Sequence, residues 1–359
     1  GFVSMFWLVS GSLSSSISRF LNYEMGRKDY ERLKRVFSMS LNIMLILAFI
    51  VILLSETFGL WFLSHKMNIP TGRENAAFWV FQFSVITVIS GFLVVPYNAS
   101  IVAHERMRIY AYLGIFEAII RLLIALALAF GHFKTDRLIL YALLWLIATI
   151  LMQVTAALFC RRSFSECRFR KVFDRKLFTD MFSYAGWSFM GSVAGTFSGQ
   201  GINVALNTFF GTIVNAARGI ADTVSRSVAI FVNNFPVAIN PQIAQSYAAG
   251  DNVYMKTLVL KGTRFSFFIL FLFAFPLILE TRFVLFIWLG QVPQYSVNFI
   301  RLILLINLIE VHGIYFGMAQ RATGVIKRLQ LITSFFVFLL YPLSLIFLKF
   351  GFPPEVTYI

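Results

Sequence analysis

Arg218, Asp222 and Arg226 follow one another at i, i+4 and i+8 inside the stretch 215–240. On a helix that spacing gives a shared face with a slow drift around it. One carboxylate neutralises one guanidinium at a time, so the ladder keeps a net positive charge. Guanidinium forks match phosphate oxygens, and the set is expected to hold a phosphate or pyrophosphate group. The plain alternative is a structural ion-pair ladder. Gln200, Asn203 and Asn207 form a neutral hydrogen-bonding stripe at spacings of three and four. It suits sugar hydroxyls, and it suits helix–helix contacts equally well. Glu117 and Arg121 stand at i, i+4 and are expected to neutralise each other, with coupling to H+ or Na+ as a second role for Glu117. Glu310 and His312 lie in the middle of another span, where a histidine could sense protons.

These residues need helices that cross a membrane. Of the 359 residues 58% are hydrophobic and 13% charged. A soluble chain carries about 25% charged residues and could not cover its surface with so few. The apolar residues come in runs of about 20, the length that crosses a hydrocarbon core. Ten spans are expected: 2–21, 37–63, 76–103, 110–131, 138–160, 179–207, 215–240, 259–279, 297–318 and 329–350. Each is helical, because an open strand edge cannot be satisfied in lipid. Gly211 and Thr212 mark the weakest break, between two of the spans. Phe283–Gly290 is too short to cross and reads as an interfacial piece, with Trp288 at headgroup depth. Gly186, Gly191, Gly195, Gly199 and Gly201 would allow close packing or bending, and Pro96 and Pro236 fall inside spans.

The formal net charge is +15, which in a soluble chain would raise nucleic acid as a partner. Here the basic residues sit mostly between the apolar runs, so the positive-inside rule accounts for them and no nucleic acid is expected. One alternate set of loops holds 20 Lys and Arg, among them Arg27, Lys28, Arg161, Lys171 and Lys176. The other set holds six: Lys66, Arg73, Lys134, Arg137, Arg282 and Lys349. The first set is therefore cytoplasmic, including the basic loop 161–178, which could also bind anionic membrane lipids. Cys160 and Cys167 flank that loop and are expected to be free thiols.

The chain also repeats itself. Adding 222 to a residue number carries Ile17–Asp29 onto Ile239–Asp251 and Lys34 onto Lys256. It carries four successive apolar runs close to four others. An even number of spans separates the copies, so the repeats are parallel. The same offset expects one helix upstream of Gly1 and one downstream of Ile359, as in a chain cut short at both ends. The expected organisation is a helical lobe over 1–160, a basic cytoplasmic linker over 161–178 and a second lobe over 179–359.

Two segments carry a resemblance. SSSISRFLNYEMGRKDYERLKRVFSMSLN (14–42) resembles the second-to-third helix connection of the multidrug/oligosaccharidyl-lipid/polysaccharide exporter superfamily. NTFFGTIVNAARGIADTVSRSVAIFVNNFPVAINPQIAQSYAAGD (207–251) is similar to the matching region of its second half, in the polysaccharide flippase branch. The resemblance implies an all-α, MATE-like polytopic membrane protein with two six-helix lobes facing a central cavity. It implies alternating access and a lipid-linked oligosaccharide carried across a bacterial cytoplasmic (inner) membrane for cell-surface polysaccharide such as lipopolysaccharide. Contacts with polysaccharide-assembly proteins would follow. A drug or ion antiporter of the same superfamily is the alternative, although its lumen should be acidic. A membrane polymerase or glycosyltransferase fits less well. Outer connections are short, and there is no Gly-rich phosphate loop, metal cluster or nucleophile triad, so neither an enzyme nor a cofactor is expected.

Overall fold

The computed structural model describes residues 6–358 except 68, 71, 132, 134, 135 and 171, and not the side chains of Trp7 and Tyr110. Lys134, Lys171 and the first residues of span 2–21 thus lie outside the described residues. The first helices are α1 (Phe6–Gly26), α2 (Tyr30–Leu54), α3 (Leu60–His65), α4 (Glu74–Ala103), α5 (Met107–Phe130) and α6 (Arg137–Ser163). Then come α7 (Arg175–Phe210), α8 (Thr212–Ala248), α9 (Asn252–Leu279), α10 (Thr281–Leu289), α11 (Ser296–Ala322) and α12 (Lys327–Lys349). A π-helical turn, Ser55–Gly59, joins α2 to α3.

Each expected span falls on a long helix. Seven are apolar and long enough to cross a membrane by composition alone: α2 continued through α3, α4, α5, α6, α9, α11 and α12. The other three, α1, α7 and α8, are rich in Ser, Gly, Asn and charged residues, which dilutes their hydropathy. With 21, 36 and 37 residues they still reach across a core of about 30 Å at about 1.5 Å per residue. The break between α7 and α8 is a single residue, Gly211, at φ 78°. The short α10 ends on Gly290 in the left-handed region at φ 71°, and its Trp288 is exposed. Pro96 and Pro236 are buried within uninterrupted helices.

The repeat reappears in the helix boundaries. Tyr30 opens α2 and Asn252 opens α9; Glu74 opens α4 and Ser296 opens α11; Gly26 closes α1 and Ala248 closes α8. Every pair is 222 apart. The turn before α2 and the turn before α9 share one hydrogen-bond pattern. Asp29 N donates to Glu24 O at 3.2 Å and Asp251 N to Ser246 O at 2.9 Å. Asp29 then caps α2 by accepting from Arg32 N at 3.0 Å, and Asp251 caps α9 by accepting from Tyr254 N at 2.9 Å.

Contacts divide the chain into Gly1–Ala185 and Gly186–Ile359, a division that falls inside α7. In the first unit the basic loop is a fastened strap. Ser38 Oγ accepts from Arg170 N at 3.1 Å, and Asn42 Nδ2 donates to Val172 O at 3.1 Å. His104 pairs with the buried Glu166 and stacks on Phe164 at 3.8 Å between ring centroids. Cys160 and Cys167 are free, as expected, and buried. Contact with Cys160 and burial push the Cys167 thiol well up, so it stays protonated and unreactive. Asp174 caps α7 through Lys176 N and Leu177 N, both at 3.0 Å.

In the second unit the core runs through α8, α9 and α11, with Phe299 and Leu304 fully enclosed. Of the five glycines of α7, two are packing positions. A Cβ on Gly201 would stand 2.6 Å from the Tyr341 ring, and one on Gly191 would stand 2.3 Å from the Gln330 amide. Cβ atoms on Gly186, Gly195 and Gly199 would meet nothing within 4 Å. The glycine run is thus a contact for α12 only at two places.

Candidate functional site

The ladder lies on α8. Val214, Ala217, Ala221, Val228 and Val232 recur at helical spacing and are buried in the core of the second unit. That fixes the rotation of α8. Arg218 and Asp222, beside the buried stripe, are half-buried, while Arg226 has drifted to an exposed position. Asp222 was expected to neutralise one arginine, but among the described residues it forms no ion pair with either. The reason is where Arg218 points: its guanidinium carbon lies over the Tyr358 ring, 5.7 Å from the centroid. Arg218 Nε and Nη1 and the Tyr358 hydroxyl are buried and have no hydrogen-bond partner among the described residues. Burial pushes the Tyr358 hydroxyl well up from its ordinary value, and the Arg218 charge opposes that. A cation with two open donors beside a neutral phenol is suited to an oxyanion.

Polar contacts that the sequence did not reveal steady this region. Asn307 of α11 donates to Ser225 Oγ of α8 at 2.8 Å, joining the two helices next to Arg226. Asn298 donates to Glu355 at 2.9 Å, fastening the short turn Pro354–Tyr358 to α11. Arg301 of α11 donates to Ile278 O at 2.9 Å and Leu279 O at 3.4 Å, closing the C-terminus of α9. Apart from the arginine, these are short polar residues far apart in sequence, and only a fold pairs them.

The other expected residues are dispersed. On α7, Gln200 and Asn207 are exposed and Asn203 is half-buried; among the described residues no side-chain hydrogen bond links them to the α8 ladder. On α11, Glu310 and His312 are both exposed. His312 accompanies Phe267, with ring centroids 5.2 Å apart, and its Nδ1 is 3.3 Å from Ile309 O. No hydrogen bond joins it to Glu310, as neighbours in sequence point to different faces. In the first unit Arg121 donates to Glu117 at 2.9 Å, so the expected self-neutralising pair is present. Arg121 also lies 4.9 Å from the Trp145 ring centroid. Glu117 borders a cavity of about 390 Å³ among α4, α5 and α6. Among the described residues no group of three or more His, Cys, Asp and Glu side chains could hold a metal ion.

Comparison with known proteins fits this layout. A family described as polysaccharide biosynthesis protein matches residues 2–250. No curated protein matches the chain. Among solved structures, MATE in its straight conformation superposes with a TM-score of 0.85 at 14% identity, over 100% of this chain and 81% of that one. The outward-facing conformation of a multidrug resistance MATE family transporter of the MOP superfamily gives 0.83 at 13% identity, over 99% and 80%. A MOP superfamily transporter from Pyrococcus furiosus, described by a binding pocket of reverse polarity that suggests a different function, gives 0.72 at 13% identity, over 97% and 86%. At these identities the likeness establishes the fold.

Proposed function

This chain belongs to the polysaccharide biosynthesis protein family and has the MATE fold, and from that premise we propose that it flips a lipid-linked oligosaccharide across a bacterial cytoplasmic membrane. The substrate is a polyprenyl-pyrophosphate sugar, taken up on the cytoplasmic side and released outside by alternating access. The basic loops, including 161–178, face the cytoplasm. Arg218 and Arg226 hold the pyrophosphate, with Asp222 tempering their charge. Gln200, Asn203 and Asn207 offer hydrogen bonds to sugar hydroxyls. Glu310 and His312 are the residues through which H+ or Na+ would couple, and the paired Glu117 and Arg121 serve as cavity residues of the first unit.

One observation carries this reading: two arginines on a membrane-depth helix have no acidic partner among the described residues. Intramembrane cations without a partner are costly and mark ligand sites. A pocket of reversed polarity is described for the Pyrococcus furiosus transporter of the same fold. A cation-coupled multidrug antiporter is the second reading, favoured by Glu310, a carboxylate without a basic partner among the described residues. The test is glycan export in a strain lacking its own flippase. The protein should restore surface glycan, and Arg218→Ala with Arg226→Ala should abolish export at normal membrane abundance. Normal export in that double variant contradicts the role given to Arg218 and Arg226, and drug resistance without export contradicts the flipping itself.

A further inference from the structure

The cavity among α4, α5 and α6 of the first unit carries more polar groups than the Glu117–Arg121 pair requires. Three apolar spans surround it, and polar side chains at that depth are expensive unless something uses them. Thr87 and Asn98 of α4, Glu117 of α5, and Trp145, Thr149 and Gln153 of α6 nevertheless converge on its walls. The two threonine hydroxyls donate along their own helices, Thr87 to Phe83 O at 2.7 Å and Thr149 to Trp145 O at 2.8 Å. Each proton is thus committed to a backbone carbonyl, which leaves the hydroxyl oxygens free to act as acceptors. Asn98 is half-buried and makes no hydrogen bond to a described residue. Gln153 is anchored: with its amide turned to suit its neighbours, its nitrogen donates to Ser90 O at 2.9 Å.

The charge balance decides what such a wall can bind. Arg121 neutralises Glu117 at 2.9 Å, so the cavity offers no net negative charge to a cation. What remains is a set of hydroxyl, amide and carboxylate oxygens next to an indole. Sugar hydroxyls donate to such acceptors, and the apolar C–H face of a pyranose lies against an aromatic ring. The volume of about 390 Å³ sits at the low end of small-molecule pockets, room for a ring or two and not for a long chain.

We infer that this cavity is a saccharide subsite, taking a sugar ring through hydroxyl hydrogen bonds to Asn98, Glu117 and Thr149 with Trp145 as the apolar wall. The inference rests on the export reading, which brings a glycan to membrane depth. It adds a sugar site in the first unit to the phosphate site on α8.

The experiment is saturation-transfer NMR on the purified full chain in detergent, with a panel of methyl glycosides as probes. Two variants change the cavity. Gly114→Leu fills it, since a Cβ on Gly114 meets nothing within 4 Å and the residue lies on the wall. Asn98→Ala removes an amide and keeps the shape. Transfer to at least one glycoside is expected in the wild type. It should be lost in Gly114→Leu and cut about fivefold in Asn98→Ala, the worth of about one net hydrogen bond. It should persist in the Arg218→Ala, Arg226→Ala double variant and be insensitive to sodium chloride. No transfer from the panel, equal transfer in both cavity variants, or displacement by sodium overturns the subsite. The export assay separates the two claims. Lost export in the arginine variant without glycoside binding sinks only the subsite, and glycoside binding with normal export in that variant sinks only the phosphate site.

Discussion

In the first unit Glu117 and Arg121 meet at 2.9 Å on one helix, whereas in the second Arg218, Asp222 and Arg226 share a helix without meeting. Both sets have i, i+4 spacing, so spacing alone does not decide whether charges pair. The neighbours decide. Arg121 lies against Trp145 in a position that still reaches Glu117, while Arg218 is turned onto Tyr358 and forms no ion pair with Asp222. A paired charge stabilises its own helix; an open one is left to meet a ligand.

The largest effect expected from breaking that contrast is functional. Arg218→Ala with Arg226→Ala should eliminate glycan export, while Glu117→Gln with Arg121→Gln, which alters the sugar cavity and leaves the arginines of α8 in place, should lower it only in part, both read as surface glycan at matched abundance. The next effect is on stability. Arg121→Ala alone strands a carboxylate at membrane depth and should cost about 2–3 kcal/mol. Removing both partners should recover most of that, which thermal melts in detergent will check.

Smaller effects test the repeat. Lys28 occupies the left-handed region at φ 59°, where the second copy of the turn has Gly250 at φ 80°. A side chain there costs about 1–2 kcal/mol. Lys28→Gly should therefore raise the melting temperature and Gly250→Lys should lower it. Smallest are the matched caps: Asp29→Ala and Asp251→Ala should each cost about 1 kcal/mol, and to a similar extent. Unequal losses would mean that the two turns are not equivalent.

The sequence made the helices legible because each had to be long, apolar and closed by charge or turn residues. The offset of 222 was legible too, and the paired caps Asp29 and Asp251 bear it out in hydrogen bonds. The Glu117–Arg121 pair could be read because both partners lie within one helix. The fate of Arg218 could not, since Tyr358 is 140 residues away in the chain and its ring position depends on the packing of α11. Thr87, Asn98, Thr149 and Gln153 escaped for the same reason. Each is an isolated polar residue in its own span, and they form a wall only when three helices assemble. His104 and Glu166 likewise meet only because the loop after α6 folds back against the end of α4.

The claim that open arginines on α8 receive an anion is tested most directly by titrating the purified full chain with inorganic pyrophosphate and following its melting temperature. The account predicts a saturable rise that weakens with salt, survives in Glu117→Gln with Arg121→Gln, and vanishes in Arg218→Ala with Arg226→Ala. An equal rise in the arginine double variant, or no rise in the wild type, would contradict it.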